Sequence, residues 1–597
     1  MRSTGRHAAL VVVLGATVFV FAGGAAGMPA SRPSSRPASS QPSTMPVGDG
    51  AANDLTSLSL EDLMNVEVTS VARQKQRVGE AAAAITVITQ EDIQRSGLTS
   101  VPELLRLVPG MDVARLNAST WAISSRGFND AFANKLLVLS DGRSIYSPLF
   151  AGVFWDMHQP LLQDIEQIEV IRGPGATIWG SNAVNGVINI QSKSARDTQG
   201  LLVTGRGGNY EQSGAARFGG QIDDKTFFRF TGRYQNTDDF PTTAGPDGHD
   251  GWHAIGGAFR LDRYATDKDT FTVQGDLTST REAETLLLGS FTPPTFMAPT
   301  TNSFNALGID VLGRWTHVFS DQSDLALQVY YDHLTRPVGG SPYHIDTGDI
   351  DFHHRFPLGD RQEIVWGLGY RYWADEFKPG PAASMNPQNR DDYIANAYIQ
   401  DDLTIVKDRL HLIGGTKIEE NTYSGFEVQP SGRMVWTPNE QNTLWGAVSR
   451  AQRTPARWEQ DGRIVSAPSA SPLLPVPVQP VVHGTREFDS EGMNAFEVGY
   501  RLKPAPKFSL DTAIFYNAYD HLRGFEPGMP GFSATPVPHA VEPVIVANSF
   551  YAESYGAEIA ANWQVSERWR LAASYSFLNI RAYSHESFAA NPANQQV

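Results

Sequence analysis

Apolar and polar residues alternate along the chain from Leu201 almost to its last residues. In the stretch FSLDTAIFY, Phe508 and Ile514 share one face of an extended chain, whereas Asp511 lies on the other. A period of two residues indicates β-strands that separate two environments. We therefore predict that residues 197–597 form one large, antiparallel, all-β domain.

The two faces of these strands fit a membrane barrel. In YGAEIAANW and RWRLAASYSF, aromatic residues such as Trp563 and Trp569 lie at strand ends, and the opposite face carries polar residues such as Glu558. Transmembrane barrels have aromatic girdles and a polar lumen. A large soluble sandwich is the alternative, and it would have shorter strands. We count about 17 strands after Leu201 by this alternation.

Short and long connections alternate between the predicted strands. Membrane barrels have short turns on the periplasmic side and long loops outside. The long, Pro-, Ser- and Gly-rich loops would then surround an outer binding site. The short links are 407–409, 440–442, 504–506 and 566–567, and the long ones are 282–303, 455–489 and 524–543.

A smaller domain with both helices and strands is predicted at 76–196. Glycine-rich turns divide the strands of EQIEVIRGPGATIWGSNAVNGVINI, and Asp141-Gly142 forms a hairpin turn in SSRGFNDAFANKLLVLSDGRSIY. Thr89 is a candidate N-cap for the helix QEDIQRS, which Gly97 would end. Ser100 and Glu103 are the candidate capping box of a second helix, PELLRLV.

The N-terminal region has the pattern of an export signal and a tether. Basic residues, an apolar stretch and small residues follow one another within 1–27, as in a secretory signal peptide. Residues 28–60 are rich in Pro and Ser, so we expect a disordered periplasmic tether. Beyond residue 27 no apolar run is long enough for a membrane-spanning helix.

The two glycine-rich clusters, in this order and at this distance, resemble the plug domain of TonB-dependent outer-membrane transporters. The resemblance implies an α+β plug in the lumen of a transmembrane β-barrel of the 22-stranded type. It also implies a location in the bacterial outer membrane and contact with its lipid. About 17 strands are fewer than 22, so we expect a barrel truncated at its C-terminus, because the chain is either a fragment, which we favour, or a truncated product. We also expect a monomer.

The segment 61–75 resembles the family's TonB box, which the inner-membrane energy-coupling protein contacts. An exposed, extended segment offers unpaired backbone groups to which a TonB-type partner can add a strand. The alternative, that this segment is the first strand of the plug, remains open. The residues expected to couple are Val66, Glu67, Val68, Thr69, Ser70 and Val71.

Four charged residues are expected to join plug and barrel. The resemblance implies that Arg126 in SRGF and Arg172 in IRGP face carboxylates on the barrel wall. The matching wall residues are Glu497 and Glu558, and the alternation independently places both in the lumen. The alternative is that each of these charges is solvated in a wet lumen.

Two plug loops, 116–122 and 146–158, are expected to face outward and touch ligand, as the resemblance implies. The adjacent Met157 and His158 do not make a ligand set, so we expect no metal site. The candidate ligand-binding residues are Asn117, Trp121, Tyr146, Phe150, Trp155 and His158.

The composition of the chain excludes some classes of protein. A net charge of −16 argues against nucleic acid as a partner, and the absence of cysteine excludes a disulfide scaffold. No recognisable nucleophile arrangement or phosphate loop is present in the sequence, so we expect neither an enzyme nor a resident cofactor.

The resemblance implies TonB-dependent import of a small metal chelate, and a ferric siderophore is the first candidate. Alternatives are a cobalamin or haem importer, a receptor or adhesin without transport, and, third, a soluble periplasmic enzyme.

Overall fold

The computed structural model describes residues 66–71, 73, 76–131, 133–242, 245, 247–566 and 569–584. The segments predicted to be the signal peptide and the tether, 1–27 and 28–60, lie outside these residues. None of the helices in this part of the chain is long and apolar enough to cross a membrane.

The N-terminal domain is a small mixed sheet with short helices. Its main sheet has five strands, and the strands at 136–140 and 186–192 are parallel neighbours. Buried aliphatic residues of these strands form its core. The elements are β1 (Glu67–Val68), β2 (Gln76–Arg77), β3 (Ala84–Thr89), α1 (Gln90–Ser96), α2 (Val101–Leu104), β4 (Met111–Arg115), β5 (Trp121–Ser125), β6 (Leu136–Ser140), β7 (Arg143–Ser144), β8 (Ile165–Arg172), α3 (Ala176–Trp179) and β9 (Gly186–Ser192).

Of the two predicted helix caps in this domain, one is present. The Thr89 side chain accepts from the Asp92 backbone N–H, completing a capping box, and Gly97 ends α1 at φ 69° as predicted. The capping box at Ser100 is wrong, because Ser100 makes no side-chain cap and Glu103 instead accepts from Arg106 and Trp121.

The predicted turn at Asp141-Gly142 is confirmed, since both residues have positive φ values, 49° and 81°, between β6 and β7. The second glycine-rich cluster was predicted as strands joined only by turns, which is wrong in one respect. A helical turn, α3, lies between β8 and β9. Gly173 and Gly180 on either side of it have φ values of 98° and 85°, which other residues rarely adopt.

Within the residues that the structure describes, the C-terminal domain is one 21-stranded sheet. Seventeen of its strands are long and pair antiparallel in chain order, which confirms the predicted count. They are β10 (Gly200–Gly207), β11 (Glu211–Asp223), β12 (Thr226–Thr237), β13 (Trp252–Tyr264), β14 (Asp269–Gly289), β15 (Met297–Ser320), β16 (Ser323–Val338), β17 (Ser341–Leu358), β18 (Gln362–Phe377), β20 (Asn389–Val406), β21 (Leu410–Asn421), β22 (Gly425–Asn439), β23 (Asn442–Arg453), β26 (Glu491–Ala505), β27 (Phe508–Pro527), β29 (His539–Ser566) and β30 (Trp569–Ser584).

The remaining four strands of the sheet lie in its connections, as does a short helix. They are β19 (Ala383–Met385), β24 (Gly462–Val465), β25 (Val478–His483) and β28 (Gly531–Ser533), and the helix is α4 (Arg457–Asp461).

The strands alternate between two environments as predicted. On β27, Ile514 is 64% exposed on the outer face, whereas its neighbour Phe515 is 3% exposed and points into the lumen. Glu558 on β29 is buried in the lumen and Ile559 is exposed outside. The exposed apolar band suits lipid, and the lumen holds the N-terminal domain as a plug.

The two ends of the sheet differ. At one end the connections are short, for example 224–225, 321–322 and 440–441; at the other they are longer, for example 238–251 and 454–490. We assign the end with longer connections to the cell exterior.

Two predicted long loops, 282–303 and 524–543, are mostly strand, which corrects the prediction. The antiparallel register of β14 and β15 continues without a break as far as Gly289 and Met297, so the hairpin includes most of the first of these loops.

Candidate functional site

The predicted plug and barrel charges lie in one buried cluster. Arg126 Nη1 lies 2.6 Å from Glu497 Oε1, and its Nε lies 3.2 Å from Glu558 Oε1. All three side chains are at most 6% exposed. Burial lowers the pKa of Arg126, but the carboxylates of Glu558 and Glu497 outweigh it and raise that pKa above its usual value. Arg126 is therefore held charged against two strands of the wall.

Arg172 completes this cluster. Its Nη1 lies 2.9 Å from Glu558 Oε2 and also donates to the Pro109 carbonyl at 2.9 Å. The contact with Glu558 is an ion pair by distance, without the alignment of a hydrogen bond. Two guanidinium groups thus face two carboxylates, and removing one would leave a buried charge without compensation.

A second ionic cluster lies nearer the outer end and was missed from the sequence. Arg453 Nε lies 2.6 Å from Glu491 Oε2, to which Lys135 of the plug also donates at 2.6 Å. Arg453 Nη1 lies 2.7 Å from Glu459 of α4. The alternation could have revealed Glu491, because it lies on the same face of β26 as Glu497.

Helix α4 folds inward onto the plug. The backbone N–H groups of Arg457 and Trp458 donate to the carbonyls of Pro148 and Leu149 at 2.9 and 3.2 Å. The Arg457 side chain is fully buried and lies 3.2 Å from Asp375. The long connection 454–490 therefore covers the predicted plug loop 146–158 and does not simply rise above it.

The predicted coupling segment is folded against the plug. Val68, Ser70 and Val71 are at most 4% exposed, and β1 pairs with β2. The Ser70 N–H donates to Glu169 Oε2 at 2.8 Å, and Trp179 Nε1 donates to the Ser70 carbonyl at 2.6 Å. The expected exposure of this segment is wrong, because Val68 and Val71 are buried and Glu169 on β8 accepts from the N–H groups of Thr69 and Ser70. Its coupling role stays a prediction, and a partner can add a strand only after the segment leaves the plug.

Three of the predicted ligand contacts are core residues. Trp121 lies in β5, not in a loop as predicted, and its Nε1 donates to Glu103 at 3.1 Å. Phe150 and Trp155 are 9% and 5% exposed and pack in apolar clusters. Because these rings bury apolar area inside the plug or under α4, they cannot touch ligand in this conformation.

Asn117 shapes a plug turn. Its Oδ1 accepts from the N–H groups of Ser119 and Thr120 at 3.0 and 2.8 Å. The next residue, Ala118, accepts at 2.8 Å from Trp252 Nε1 on the wall. The turn is thereby fixed against β13.

The remaining two predicted contacts, Tyr146 and His158, line a cavity of about 80 Å³ between the plug and the wall, which we call the upper cavity. Partial burial, together with Arg143, lowers the pKa of His158 to about 3, so the ring is neutral at physiological pH. Other aromatic residues around the cavity are Phe154, Tyr330, Trp373 and Tyr423.

Charges around the upper cavity are paired. Arg371 Nε lies 2.9 Å from Asp349, and Asp332 pairs with Arg143. Trp373 Nε1 is a buried donor with no hydrogen-bond partner within the described part of the chain. Across those same residues, no group of three or more His, Asp or Glu side chains is placed to hold a metal ion.

Comparison with protein families covers both domains. The TonB-dependent receptor plug domain matches residues 77–187, and the TonB-dependent receptor-like β-barrel matches residues 187–596. Over 139 residues the chain is 35% identical to the vitamin B12 transporter BtuB of Vibrio vulnificus (strain CMCP6). This stretch covers 23% of the chain and 22% of that transporter's length.

Solved structures share the fold. The siderophore receptor PirA from Acinetobacter baumannii has a TM-score of 0.65 at 19% identity, over 83% of this chain and 80% of that one. The ferric yersiniabactin uptake receptor FyuA from Yersinia pestis has a TM-score of 0.59 at 16% identity, over 84% and 79% of the two chains. The chain belongs to the TonB-dependent receptor family and lies in the outer membrane of Gram-negative bacteria.

Proposed function

We propose that this protein imports a small metal chelate across the outer membrane, driven by a TonB-type partner in the inner membrane. The observation that carries the proposal is the plug itself, which fills the lumen and is held there by the cluster of Arg126, Arg172, Glu497 and Glu558. Breaking buried ion pairs costs several kcal/mol. Opening the lumen therefore requires work, which a partner that pulls on the plug can supply.

The upper cavity favours a chelate of low net charge. Its charged side chains are already paired, its histidine is neutral and its walls are largely aromatic. Three hydroxamate groups neutralise Fe³⁺, whereas three catecholates leave a net negative charge. A neutral ferric hydroxamate siderophore is therefore the first candidate. Trp373 lines the cavity, and the chelate oxygens can accept from its buried Nε1 once the outer loops have moved.

Binding requires the outer loops to move. A cavity of about 80 Å³ is smaller than sites that enclose ligands, which span several hundred Å³. Helix α4 covers the plug loop 146–158 through two backbone hydrogen bonds. We infer that the chelate enters when α4 separates from Pro148 and Leu149.

Cobalamin is the second candidate. The 35% identical stretch belongs to a protein named a vitamin B12 transporter, and cobalamin is a bulky chelate of low net charge that meets the same requirement.

Deleting residues 66–71 tests transport against binding alone. We expect the purified variant to bind its chelate as the unaltered protein does, while cells that carry it lose energy-dependent uptake. Equal uptake by the deletion variant and the unaltered protein would indicate a receptor without coupled transport. A variant with 66–71 replaced by a Gly/Ser segment of the same length controls for the loss of chain.

A ligand panel tests the substrate. Titration with a ferric tris-hydroxamate, a ferric tris-catecholate and cobalamin should show at least tenfold weaker binding of the catecholate, because Arg371, the arginine that lines the cavity among the described residues, is already paired with Asp349. Trp373→Ala should weaken binding, whereas Trp563→Ala on the lipid face should not. Tightest binding of the catecholate would contradict the charge argument.

A further inference from the structure

Three stretches at the outer end of the barrel contain no Asp, Glu, Lys or Arg. They are residues 285–303 at the tip of hairpin β14–β15, residues 464–485 between α4 and β26, and residues 527–541 at the turn from β27 to β29. Charged residues make up 19% of the whole chain, so uncharged runs of 15 residues or more depart from its average composition. A ligand that binds here gains nothing from ion pairs.

The three stretches pack against one another although they are far apart in the chain. The rings of Phe291 and His539 have centroids 4.5 Å apart. A Cβ on Gly289 would lie 3.1 Å from Pro468. Strand β25 pairs in parallel with the first residues of β29, and β28 pairs with the other side of the same residues. The stretches therefore form one continuous surface outside the membrane.

Large apolar side chains of this surface are exposed to solvent. Leu473 and Met529 are 89% and 90% exposed, and Phe532 is 68% exposed. Pro472 and Pro475 flank the Leu473-Leu474 pair and restrict the backbone that presents it. Exposed apolar patches outside the lipid band mark binding surfaces. We call this patch the apolar crown, and it consists of Met297, Leu473, Leu474, Met529, Phe532 and Val537.

The apolar crown is continuous with the cover of the upper cavity. Helix α4 leads directly into β24, which pairs with β25. The N–H groups of Gly484 and Thr485 donate back to the carbonyls of Gly462 and Glu459 at 2.7 and 3.0 Å. The segment that carries Leu473 is thus joined at both ends to α4, which covers the plug loop 146–158. A ligand that reaches from the upper cavity to the apolar crown would contact a single structural unit.

The chemistry and the size of this unit select the occupant. Binding to an uncharged apolar surface draws its free energy from buried apolar area, which an alkyl chain supplies without any polar group to desolvate. Strand β25 separates α4 from the apolar crown and has six residues, so it is about 20 Å long. An alkyl chain that joins the two sites must therefore be a long one.

We propose that the apolar crown binds the alkyl tail of an amphiphilic chelate, whose uncharged metal-binding head enters the upper cavity beneath α4. The proposal rests on the proposed import function and specifies its substrate class as chelates that carry a long fatty acyl chain. Leu473, Leu474 and Phe532 bury the chain, and the head makes the polar contacts.

A series of ferric tris-hydroxamates that differ only in an acetyl, an octanoyl or a hexadecanoyl group tests the apolar crown. With the protein in lipid nanodiscs, the hexadecanoyl chelate should bind at least tenfold more tightly than the acetyl chelate, after correction for its partition into protein-free nanodiscs, because each buried methylene adds affinity. Equal affinity for the three chelates would overturn the proposal.

The variant with Leu473→Ser and Phe532→Ser should lose the gain from the chain and bind the acetyl chelate as the unaltered protein does. Phe426→Ser replaces an equally exposed phenylalanine, 67% against 68%, at the outer end of β22 and should keep the gain. A gain that survives in the double variant would overturn the proposal. So would a dimer that sedimentation detects in the unaltered protein alone, because a second copy would then cover the apolar crown.

Uptake by cells separates this proposal from the import function. Energy-dependent uptake of all three chelates without any effect of chain length would overturn the apolar crown as a tail site but leave import standing. Binding that depends on the chain, without uptake of any chelate, would refute import but leave the tail site.

Discussion

At the scale of single residues, buried charges in the lumen fix the position of the plug against the barrel wall. Arg126 directly follows β5 and has a φ of 57°, a backbone conformation that residues other than glycine rarely adopt. That geometry lets one guanidinium serve two strands of the wall, Glu497 on β26 and Glu558 on β29. The plug is thereby positioned by a few buried groups as well as by its apolar contacts.

Replacing Arg126 with Met should destabilise the protein by about 3–5 kcal/mol, because Glu497 is left buried without a partner. Chemical denaturation of the protein in detergent measures this loss in the free energy of unfolding. The double variant with Arg126→Met and Glu497→Leu should recover at least half of it, since no charge is stranded. Arg106→Met removes an exposed ion pair on the plug and should cost less than about 1 kcal/mol. A single variant as stable as the unaltered protein would contradict the pairing.

At the scale of elements, local signals predicted what local contacts decide. The Thr89 cap and the Asp141-Gly142 turn depend on neighbours a few residues away, and both are confirmed. Alternation placed Glu497 and Glu558 in the lumen because a strand fixes the direction of every second side chain.

Distant contacts explain the elements that sequence patterns missed. Glu103 does not cap α2 because Trp121, which lies on strand β5, donates to it. The inward fold of α4 depends on the contact between Arg457 and Asp375. These residues are far apart in the chain, so no local pattern of polar and apolar positions relates them. The coupling segment was expected to be exposed because no local pattern reveals Glu169 opposite its N–H groups.

Glu169→Ala should release the coupling segment, since two backbone N–H groups would lose a charged acceptor worth about 1.5–3 kcal/mol each. Amide hydrogen exchange at residues 66–71 should become at least tenfold faster. Glu166→Ala removes an exposed carboxylate from the same strand and should leave exchange unchanged. Unaltered protection in the Glu169 variant would show that apolar packing alone holds the segment.

At the scale of the whole molecule, the barrel and the plug explain each other. A wide ring of strands cannot fill its own lumen with side chains, so the buried face of the plug completes the core. We expect the plug to move relative to the wall when cargo passes. The helical turn α3 offers a direct test, because Thr177 Oγ1 donates to the Gln429 carbonyl of β22 at 3.2 Å.

The decisive measurement is chelate uptake by a variant with Thr177→Cys and Gln429→Cys, whose cysteines are joined by oxidation or by a short thiol crosslinker and then released by reduction. We expect the crosslinked protein to bind chelate normally and import none, and reduction to restore uptake; the single-cysteine variants should import in both states. Full uptake by the completely crosslinked protein would show that import does not require the plug to move away from β22.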